Sequence, residues 1–451
     1  MMKKNLSNFF NNSKTSSFLF ILFGFFLPIS PSISSIIIFL LFLLFFFSKN
    51  KISRIKKVFK QDISKEIILF FLFIIISSLW FKKFNDIIDL NSSFIYELNK
   101  IWLLLICPFL FLFNFENKSK KRAKYAFILG LLTTALFSFI NYIFPYQNFL
   151  FKTGHYNDKF YLQGFIDHSD LSIFFCFGIF LVLNEMIKRN KINYKLCALI
   201  MIFITFLLNS YGRTGIICFL ILFPLFIYLK YSWNKNLLII KFFTLLILIL
   251  SFIFSESLST RFSNTITELN DIIYGVSIEE KIYRHAMYMA KKDPSKKSIE
   301  FWEERILNEK NKDGEPIWLN HVKNSNNHKK TSIGKRIYLW KNYVQEISNH
   351  KILGHGLGSV NDLKKQTSIS LNPHNYYLFI LKEGGIIGLL LLVNIFYSMI
   401  KKYINNREKV LKIIFPLLLL FALFINDYLF IYNTLAFFGF FSFIIYSDSS
   451  S

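Results

Sequence analysis

Two short polar segments of this chain carry side chains suited to phosphate binding and to proton transfer. Arg213 lies in the segment Asn209–Gly215, a polar break between two long apolar runs. A guanidinium binds phosphate oxygens through paired hydrogen bonds, and an arginine at the edge of a hydrocarbon layer is costly unless it has a partner or a role. His374 lies in the segment Asn372–Asn375, directly before another apolar run. The amino end of a helix favours neutral imidazole, the form that accepts a proton.

Both residues also have a structural interpretation. An arginine at a helix end can anchor the helix by extending its side chain to water. A lone histidine at a membrane interface commonly serves as a structural hydrogen-bonding group. Arg213 is nevertheless unusual, because it stands in a chain that otherwise prefers lysine and faces the side on which positive charge is disfavoured.

A third polar cluster spans Thr331–Trp340 and is followed by a glycine-rich run, Ile352–Gly358. Arg336 and Trp340 are one helical turn apart on the same face of a predicted helix. The run Gly-His-Gly-Leu-Gly is either a phosphate-binding loop or a turn that leads back to the membrane, since glycine-rich loops alone are weak evidence.

Metal ligands are not expected, because no aspartate pair or histidine–aspartate cluster has suitable spacing in the segments predicted to face outward. The nearest candidate is Asp167–Asp170, which we interpret as a cap on the helix that follows.

The elements that must position these residues are membrane-spanning helices. The chain of 451 residues is 53% hydrophobic, and its mean hydropathy is +0.40. About twenty mostly apolar residues cross the hydrocarbon core of a bilayer. The sequence therefore predicts an all-α polytopic membrane protein with about twelve spans, near residues 17–31, 33–48, 66–81, 101–115, 125–146, 169–187, 195–209, 215–230, 237–254, 374–400, 410–426 and 428–446.

The first two spans are separated by Pro28 and Pro31, because residues 18–47 are too long for one span. The basic N-terminus precedes an apolar run without a small-residue cleavage site, which favours a retained first helix over a signal peptide. The four cysteines all lie in apolar runs, so no disulfide framework is expected.

The distribution of charge sets the orientation. The net charge is +25, but the basic residues are concentrated in short loops between apolar runs, which argues against nucleic-acid binding. Cytoplasmic loops collect lysine and arginine. With twelve spans and both ends inside, every strongly basic loop becomes cytoplasmic: 49–65, 118–124, 188–195, 230–235 and 401–412.

Three regions follow from this topology. Residues 1–254 carry the first nine spans, 255–373 form a large periplasmic loop, and 374–451 carry the last three spans. The loop is expected to be a mostly helical extracytoplasmic cap, with an insertion at about 275–330. Its clearest helical pattern, within residues 333–347, places four residues on one face: Ile337, Trp340, Tyr343 and Val344.

The order of these motifs resembles that of the O-antigen ligases. His374 and Asn375 are followed by nine residues and then by Gly385-Ile-Ile-Gly388, which matches the histidine–glycine signature of that family. Gly212–Thr214 resembles the family's short arginine element at the start of a span. The helix with Arg336 and Trp340 before Ile352–Gly358 resembles a further family motif, and the similarity covers roughly residues 165–400.

The resemblance implies a membrane glycosyltransferase of the C-type fold in the bacterial inner membrane, independent of cofactors and metals. The donor would be a glycan on undecaprenyl pyrophosphate, and the acceptor a sugar hydroxyl of lipid A-core or of another lipid-linked glycan; membrane lipids would surround the enzyme. His374 would be the base and Arg213 would stabilise the leaving group. Further substrate-binding residues are expected at Arg261, Arg336, Trp340 and Asn375.

Two alternatives remain open. The ligase signature often continues after its last glycine with a threonine–glycine element, whereas this chain has Leu389–Leu391. The shorter signature is shared with O-antigen polymerases, so polymerisation of lipid-linked repeat units is the second candidate. A polysaccharide flippase or transporter is the third, although the sequence shows no internal repeat of the kind found in many transporters.

Overall fold

The computed structural model describes sixteen stretches of the chain: residues 13–48, 51–78, 98, 101–143, 162, 164–189, 193–210, 212–230, 263, 266–267, 277–292, 298–309, 332–357, 359, 373–404 and 409–447. The chain divides into two compact units. One consists of residues 1–258 and 343–451, and the other of residues 259–342.

Regular structure in the described residues is helical, apart from an isolated bridge between Leu162 and Ser210. Two short 3₁₀ helices are Trp102–Leu105 and Tyr428–Phe430. The α-helices are α1 (Ser13–Phe26), α2 (Pro31–Phe46), α3 (Lys51–Phe59), α4 (Asp62–Ser77), α5 (Ile106–Leu110), α6 (Asn117–Ile143), α7 (His168–Arg189), α8 (Tyr194–Asn209), α9 (Arg213–Leu229), α10 (Ile278–Lys292), α11 (Ile299–Asn308), α12 (Ser332–Ile347), α13 (Tyr376–Ile400), α14 (Leu411–Ile425) and α15 (Tyr432–Tyr446).

The larger unit is organised around α7. This helix is apolar on all sides, and 89% of its membrane-length window is buried inside the protein. A helix without a polar face must be covered all round, and α7 packs against α8, α9 and α14. Aromatic rings fill these contacts: the ring centroids of Phe175 and Phe206 are 4.0 Å apart, and those of Phe174 and Phe437 are 4.5 Å apart.

Three described helices are long and apolar enough to cross a membrane by themselves, namely Asn117–Ile143, His168–Lys188 and Tyr376–Ile400. The bent pair α2 and α3 brings the number to four if it is counted as one span. Five further apolar helices are shorter. The all-helical, apolar architecture expected from the sequence is therefore confirmed for the described residues. The count of twelve spans stays a prediction, and the predicted span at 237–254 lies outside the described residues.

The predicted break between the first two apolar helices is confirmed. α1 ends at Phe26, and α2 begins at Pro31 after a turn. The hydroxyl of Ser30 caps α2 by accepting a hydrogen bond from the Ile33 amide at 3.3 Å. Proline is well suited to the first position of a helix, because an N–H group at that position would have no partner within the helix.

The predicted span at 101–115 is not one continuous helix. Trp102–Leu105 forms a 3₁₀ turn, the five-residue α5 follows, and a turn closes at Leu112 and Phe113. Pro108 lies inside α5 and cannot donate a backbone hydrogen bond to the preceding turn. This segment packs against α4 and α15.

α13 is interrupted at Gly385, whose φ of 61° is outside the helical region. The interruption is filled by the turn at residues 351–357. The amides of His355 and Gly356 donate to the carbonyls of Lys382 and Glu383 at 2.7 and 2.8 Å. In a membrane such a break is tolerated only where other groups satisfy the released backbone.

The second half of α13 is satisfied by the same turn. The amides of Ile386 and Ile387 donate to the carbonyls of Lys351 and Ile352 at 2.9 and 3.3 Å. The close approach requires glycine, because a Cβ atom on Gly385 would lie 2.2 Å from the Ile352 carbonyl oxygen. The turn and the broken helix therefore form one interlocked element.

The smaller unit contains α10 and α11, which pack on each other through a small apolar cluster of Ile282, Ala286, Trp302 and Ile306. The expected helical character of this region is confirmed for the described residues. Its placement outside the cytoplasm stays a prediction.

The helix predicted around residues 333–347 is present as α12, but only part of the expected face is covered. Tyr343 is buried, whereas Ile337 and Val344 are exposed. Leu339, on the turn before Tyr343, is buried instead.

Candidate active site

The helices that begin near Arg213 and His374 share a packing partner. α14 packs against both α9 and α13. The Sγ atom of Cys218 approaches the Leu418 carbonyl oxygen at 4.0 Å, and the Tyr377 hydroxyl donates to the Leu420 carbonyl at 2.7 Å. The carboxyl end of α14 therefore lies beside the amino ends of α9 and α13.

His374 is held in an unusual conformation directly before α13. Its φ of 48° lies in the left-handed region, and it is the non-glycine residue with positive φ in the described part of the chain. Such strain costs about 1–3 kcal/mol and persists only where the surroundings impose it. The imidazole Nδ1 lies 2.9 Å from the side-chain oxygen of Asn426, at the end of α14. The structure thus fixes both the backbone and the ring of the predicted base.

Asn375 is the N-cap of α13. Its side-chain oxygen accepts a hydrogen bond from the Leu378 amide at 3.2 Å, and the residue is 3% exposed. This capping role stabilises the start of the helix. The predicted contact of Asn375 with substrate stays a prediction.

Arg213 is the first residue of α9 and is exposed. Within the described residues, its guanidinium makes no hydrogen bond or ion pair. A positive side chain at this position adds to the positive end of the helix dipole, which favours an anionic partner. The amino end of α9 is therefore electrostatically prepared for a phosphate group.

The amino end of α9 is locked against α7 by two glycines. Cβ atoms on Gly212 and Gly215 would lie 2.4 and 2.2 Å from the backbone oxygens of His168 and Ser172. The Gly215 amide donates to the Ser172 hydroxyl at 3.1 Å. Glycine at both positions allows the backbones to approach closely, so that Arg213 is attached to a rigid junction.

The connection between α14 and α15 borders the candidate site. Tyr428 is fully buried there, and its phenol adjoins the side chains of Thr214 and Asn426. The Thr434 hydroxyl donates to the Tyr428 carbonyl. Asn426 and Thr214 neighbour His374 and Arg213, respectively, so Tyr428 links the surroundings of the two predicted catalytic residues.

The predicted helix cap at Asp167 is confirmed, because its carboxylate accepts a hydrogen bond from the Ser169 amide at 2.8 Å. Asp170 has a different environment. It is fully buried, and its carboxylate accepts a hydrogen bond from the Asn433 amide group at 2.9 Å. A buried carboxylate is costly unless it has a hydrogen-bond partner, and Asn433 provides one. Asp170, Asn433, Tyr428 and Asn426 are together called the polar layer of the site. This role was not predicted, although an acidic residue in the first turn of a mostly apolar helix is a recognisable signal.

The amides of His355 and Gly356 in the glycine-rich run donate to carbonyls of α13 and are not available to a phosphate. Residues 351–357 form a turn, as one of the two interpretations expected, and its return to the membrane stays a prediction. His355 also donates from Nε2 to the Glu346 carbonyl at 3.0 Å. Burial lowers the pKa of the His355 imidazole, and the positive charges of His350 and Lys382 act in the same direction.

Lys382 and Glu383 are further residues that the sequence analysis passed over. They are 2% and 0% exposed, within the first half of α13. The Lys382 ammonium donates to the Ser359 carbonyl at 3.3 Å and lies 5.4 Å from the centre of the Tyr343 ring. Two consecutive ionisable residues inside an apolar span are a signal that could have identified them.

The remaining predicted site residues are placed less completely. Arg336 and Trp340 lie one turn apart on α12 and are both half-buried, and they belong to the smaller unit. Their part in substrate binding stays a prediction. Arg261 lies outside the described residues. No group of three or more histidine, cysteine, aspartate or glutamate side chains with metal-binding geometry occurs in the described residues.

Comparison with known proteins tests the family resemblance. Residues 196–393 match the family model described as O-antigen ligase. The predicted resemblance is thereby confirmed for the segment that contains both Arg213 and His374. A stretch of 110 residues, 22% of this chain, is 33% identical to a Rickettsia conorii protein that carries the provisional name polysaccharide ligase. That stretch spans 26% of the relative's length.

The segment that matches the O-antigen ligase model contains most of the elements that build the site. It begins in α8, contains all of α9 and reaches into the second half of α13. Asn426, Tyr428 and Asn433 lie after the matched segment and still complete its polar layer.

Proposed function

We propose that this chain transfers a glycan from undecaprenyl pyrophosphate to a sugar hydroxyl of lipid A-core, at the periplasmic face of the bacterial inner membrane. The observation that carries the proposal is the placement of Arg213 and His374. Both stand at the amino ends of helices that pack on α14, and both lie in the segment that matches the O-antigen ligases.

The reaction needs stabilisation of a leaving group and removal of a proton. Negative charge develops on the pyrophosphate as the bond to the anomeric carbon breaks, and fixed donors aimed at that charge lower the barrier. Arg213 and the amino end of α9 supply a guanidinium and oriented peptide dipoles. His374 accepts the proton of the attacking hydroxyl, because general-base catalysis requires a positioned imidazole.

A polymerase activity is the second candidate. The observation that favours it is the absence of the threonine–glycine element after Gly388, where this chain has Leu389–Leu391. Donor chemistry is the same in both cases, and the acceptor is then a second lipid-linked glycan.

The proposal is tested by offering the purified protein an undecaprenyl-pyrophosphate-linked glycan together with one acceptor at a time. Product on lipid A-core supports the ligase, product on a second lipid-linked glycan supports the polymerase, and transport without a new glycosidic bond contradicts both.

Replacement of the base provides the quantitative test. His374→Ala should keep donor binding and the thermal melting temperature, and should form product at least about a hundredfold more slowly, since general-base catalysis typically contributes about 10²–10⁴-fold. His350→Ala, a change of an exposed histidine outside the site, is the matched control. Transfer by His374→Ala within about threefold of the unmodified protein would show that the assignment of the base is wrong.

A further inference from the structure

The side chain of Asn426 contacts the imidazole of the proposed base directly. Asn426 follows the last residue of α14, with an extended backbone and its amide bonded to the Ala422 carbonyl at 3.0 Å. This backbone hydrogen bond fixes Asn426 at the end of α14, from which its side chain reaches His374. Its oxygen lies 2.9 Å from Nδ1 of His374 across 52 residues of sequence.

This contact determines which ring nitrogen carries the proton. A side-chain carbonyl oxygen can only accept a hydrogen bond, so Nδ1 of His374 must be the donor. In a neutral imidazole the lone pair is then on Nε2. The opposite orientation of the Asn426 amide would place the lone pair on Nδ1, where it would be occupied by the amide group.

The backbone supports the same arrangement. His374, with its positive φ, lies between the buried Pro373 and the N-cap residue Asn375. Since this conformation is fixed on both sides, the remaining freedom of the imidazole is rotation about its side-chain bonds, and the bond to Asn426 restricts that rotation.

We propose that Asn426 is a positioning residue that holds His374 in the Nδ1–H form and presents Nε2 as the proton acceptor. This inference rests on the proposed function. In the reaction, the acceptor O–H bond breaks and its proton moves to Nε2, while the hydroxyl oxygen forms a bond to the anomeric carbon. The bond from that carbon to the pyrophosphate oxygen breaks, and undecaprenyl pyrophosphate leaves with the electron pair.

Other titratable groups lie at the same end of the helices and influence any pH profile. They are Tyr376 and Tyr377 on α13, Asp427 and Tyr428 after α14, Arg213 on α9, and Asp167, His168 and Asp170 at the start of α7. The effect of Asn426 on the pH profile is therefore measured by comparing variants that differ only at position 426.

Two substitutions test the role of Asn426. Asn426→Asp keeps the size of the side chain and places a carboxylate beside Nδ1, which favours the protonated imidazole. The acidic limb of the profile of kcat/KM against pH should move to higher pH by about one unit or more. Asn426→Ala should leave donor binding intact and lower kcat at least about tenfold, the lower end of losses seen when the partner that orients a histidine is removed.

The matched control is Asn394→Ala. Asn394 lies on α13, on the far side of the break at Gly385, and its side-chain amide donates a hydrogen bond to Glu66 at 2.6 Å. It should show the cost of losing a half-buried side-chain amide without any shift of the pH profile. Equal profiles and equal rates for the Asn426 and Asn394 variants would overturn the proposal.

A spectroscopic measurement separates this inference from the proposed function. In protein labelled with ¹⁵N-histidine, the signals that vanish in His374→Ala should report the Nδ1–H form, and this form should be lost in Asn426→Ala. An unchanged tautomer in that variant would overturn the role of Asn426 even where transfer is observed. A wild-type protein with the expected tautomer but no transfer would instead contradict the proposed function.

Discussion

Arg213 places a positive charge at the amino end of α9, where the helix dipole already favours a negative ligand. Its exposure and the absence of a partner within the described residues suit a ligand better than a structural ion pair. The two glycines on either side of Arg213 hold the start of α9 against α7. The guanidinium is therefore directed by a rigid backbone.

Arg213→Lys keeps the charge but removes the planar pair of donors that grips phosphate. If Arg213 binds the pyrophosphate, the lysine variant should lose transfer activity by about tenfold or more at equal expression, a loss of about 1.4 kcal/mol in transition-state stabilisation. Arg284→Lys is a control, since Arg284 pairs with Glu280 on the surface of α10 at 2.8 Å. Near-normal transfer by Arg213→Lys would favour the interpretation of Arg213 as an interfacial anchor.

At the scale of elements, the broken helix α13 consists of two halves with different surroundings. Its first half ends in the buried pair Lys382 and Glu383 and carries His374 at its start, while its second half packs on α4. The turn at residues 351–357 replaces four backbone hydrogen bonds around the break. The position of His374 therefore depends on a turn, residues 351–357, that lies outside α13 in the sequence.

Gly385→Ala should disrupt this element. The new Cβ would lie 2.2 Å from the Ile352 carbonyl oxygen. The backbone of Gly385, with φ of 61° and ψ of −161°, lies in a region essentially reserved for glycine and costs another residue about 1–3 kcal/mol. We expect a loss of about 3 kcal/mol or more in the free energy of unfolding, measured by thermal unfolding in detergent.

Gly388→Ala is the matched change in the same helix. Its Cβ would approach side-chain atoms of Ile380 and Phe73 no closer than 3.3 Å, with ordinary helical backbone. The gain in helix propensity is about 1 kcal/mol, so this variant should stay within about 1 kcal/mol of the unmodified protein. Equal destabilisation by both changes would contradict the proposed importance of the break.

At the scale of the whole membrane unit, contacts between side chains separate into two ends. Lys402 bonds Asp62 at 2.6 Å, and Lys124 bonds Glu185 at 2.9 Å. These pairs join loops that the charge distribution assigns to the cytoplasm. The contact of His374 with Asn426 joins segments assigned to the opposite side. Each of these contacts joins two segments that the charge distribution assigns to the same side, and the orientation itself stays a prediction.

Cysteine reporters test that orientation directly. In a background without the native cysteines, a cysteine at exposed Glu304 should react with an impermeant reagent added from outside, whereas cysteines at exposed Lys56 and Lys409 should react only after permeabilisation. This pattern follows from the cytoplasmic enrichment of lysine and arginine. Labelling of Glu304 and Lys56 positions from the same side would rule out the topology of twelve spans.

The sequence alone determined the class of the protein and the ends of many elements. Long apolar runs predict helices, because lipid offers the backbone no hydrogen-bond partners and a helix satisfies most of its own backbone groups. Local signals also fixed the cap at Asp167 and the break before Pro31. The motif around His374 predicted the resemblance to the O-antigen ligases that residues 196–393 show.

Only the tertiary structure decided which distant groups meet. Asn426 reaches His374 because α14 packs between α9 and α13, and Gly385 requires its positive φ because a turn from another segment enters the helix. Burial of Asp170 and Lys382 likewise depends on neighbours outside their own helices. Hydrophobic periodicity and capping act within a few residues, whereas these contacts are set by the packing of helices whose relative order and rotation no local pattern encodes.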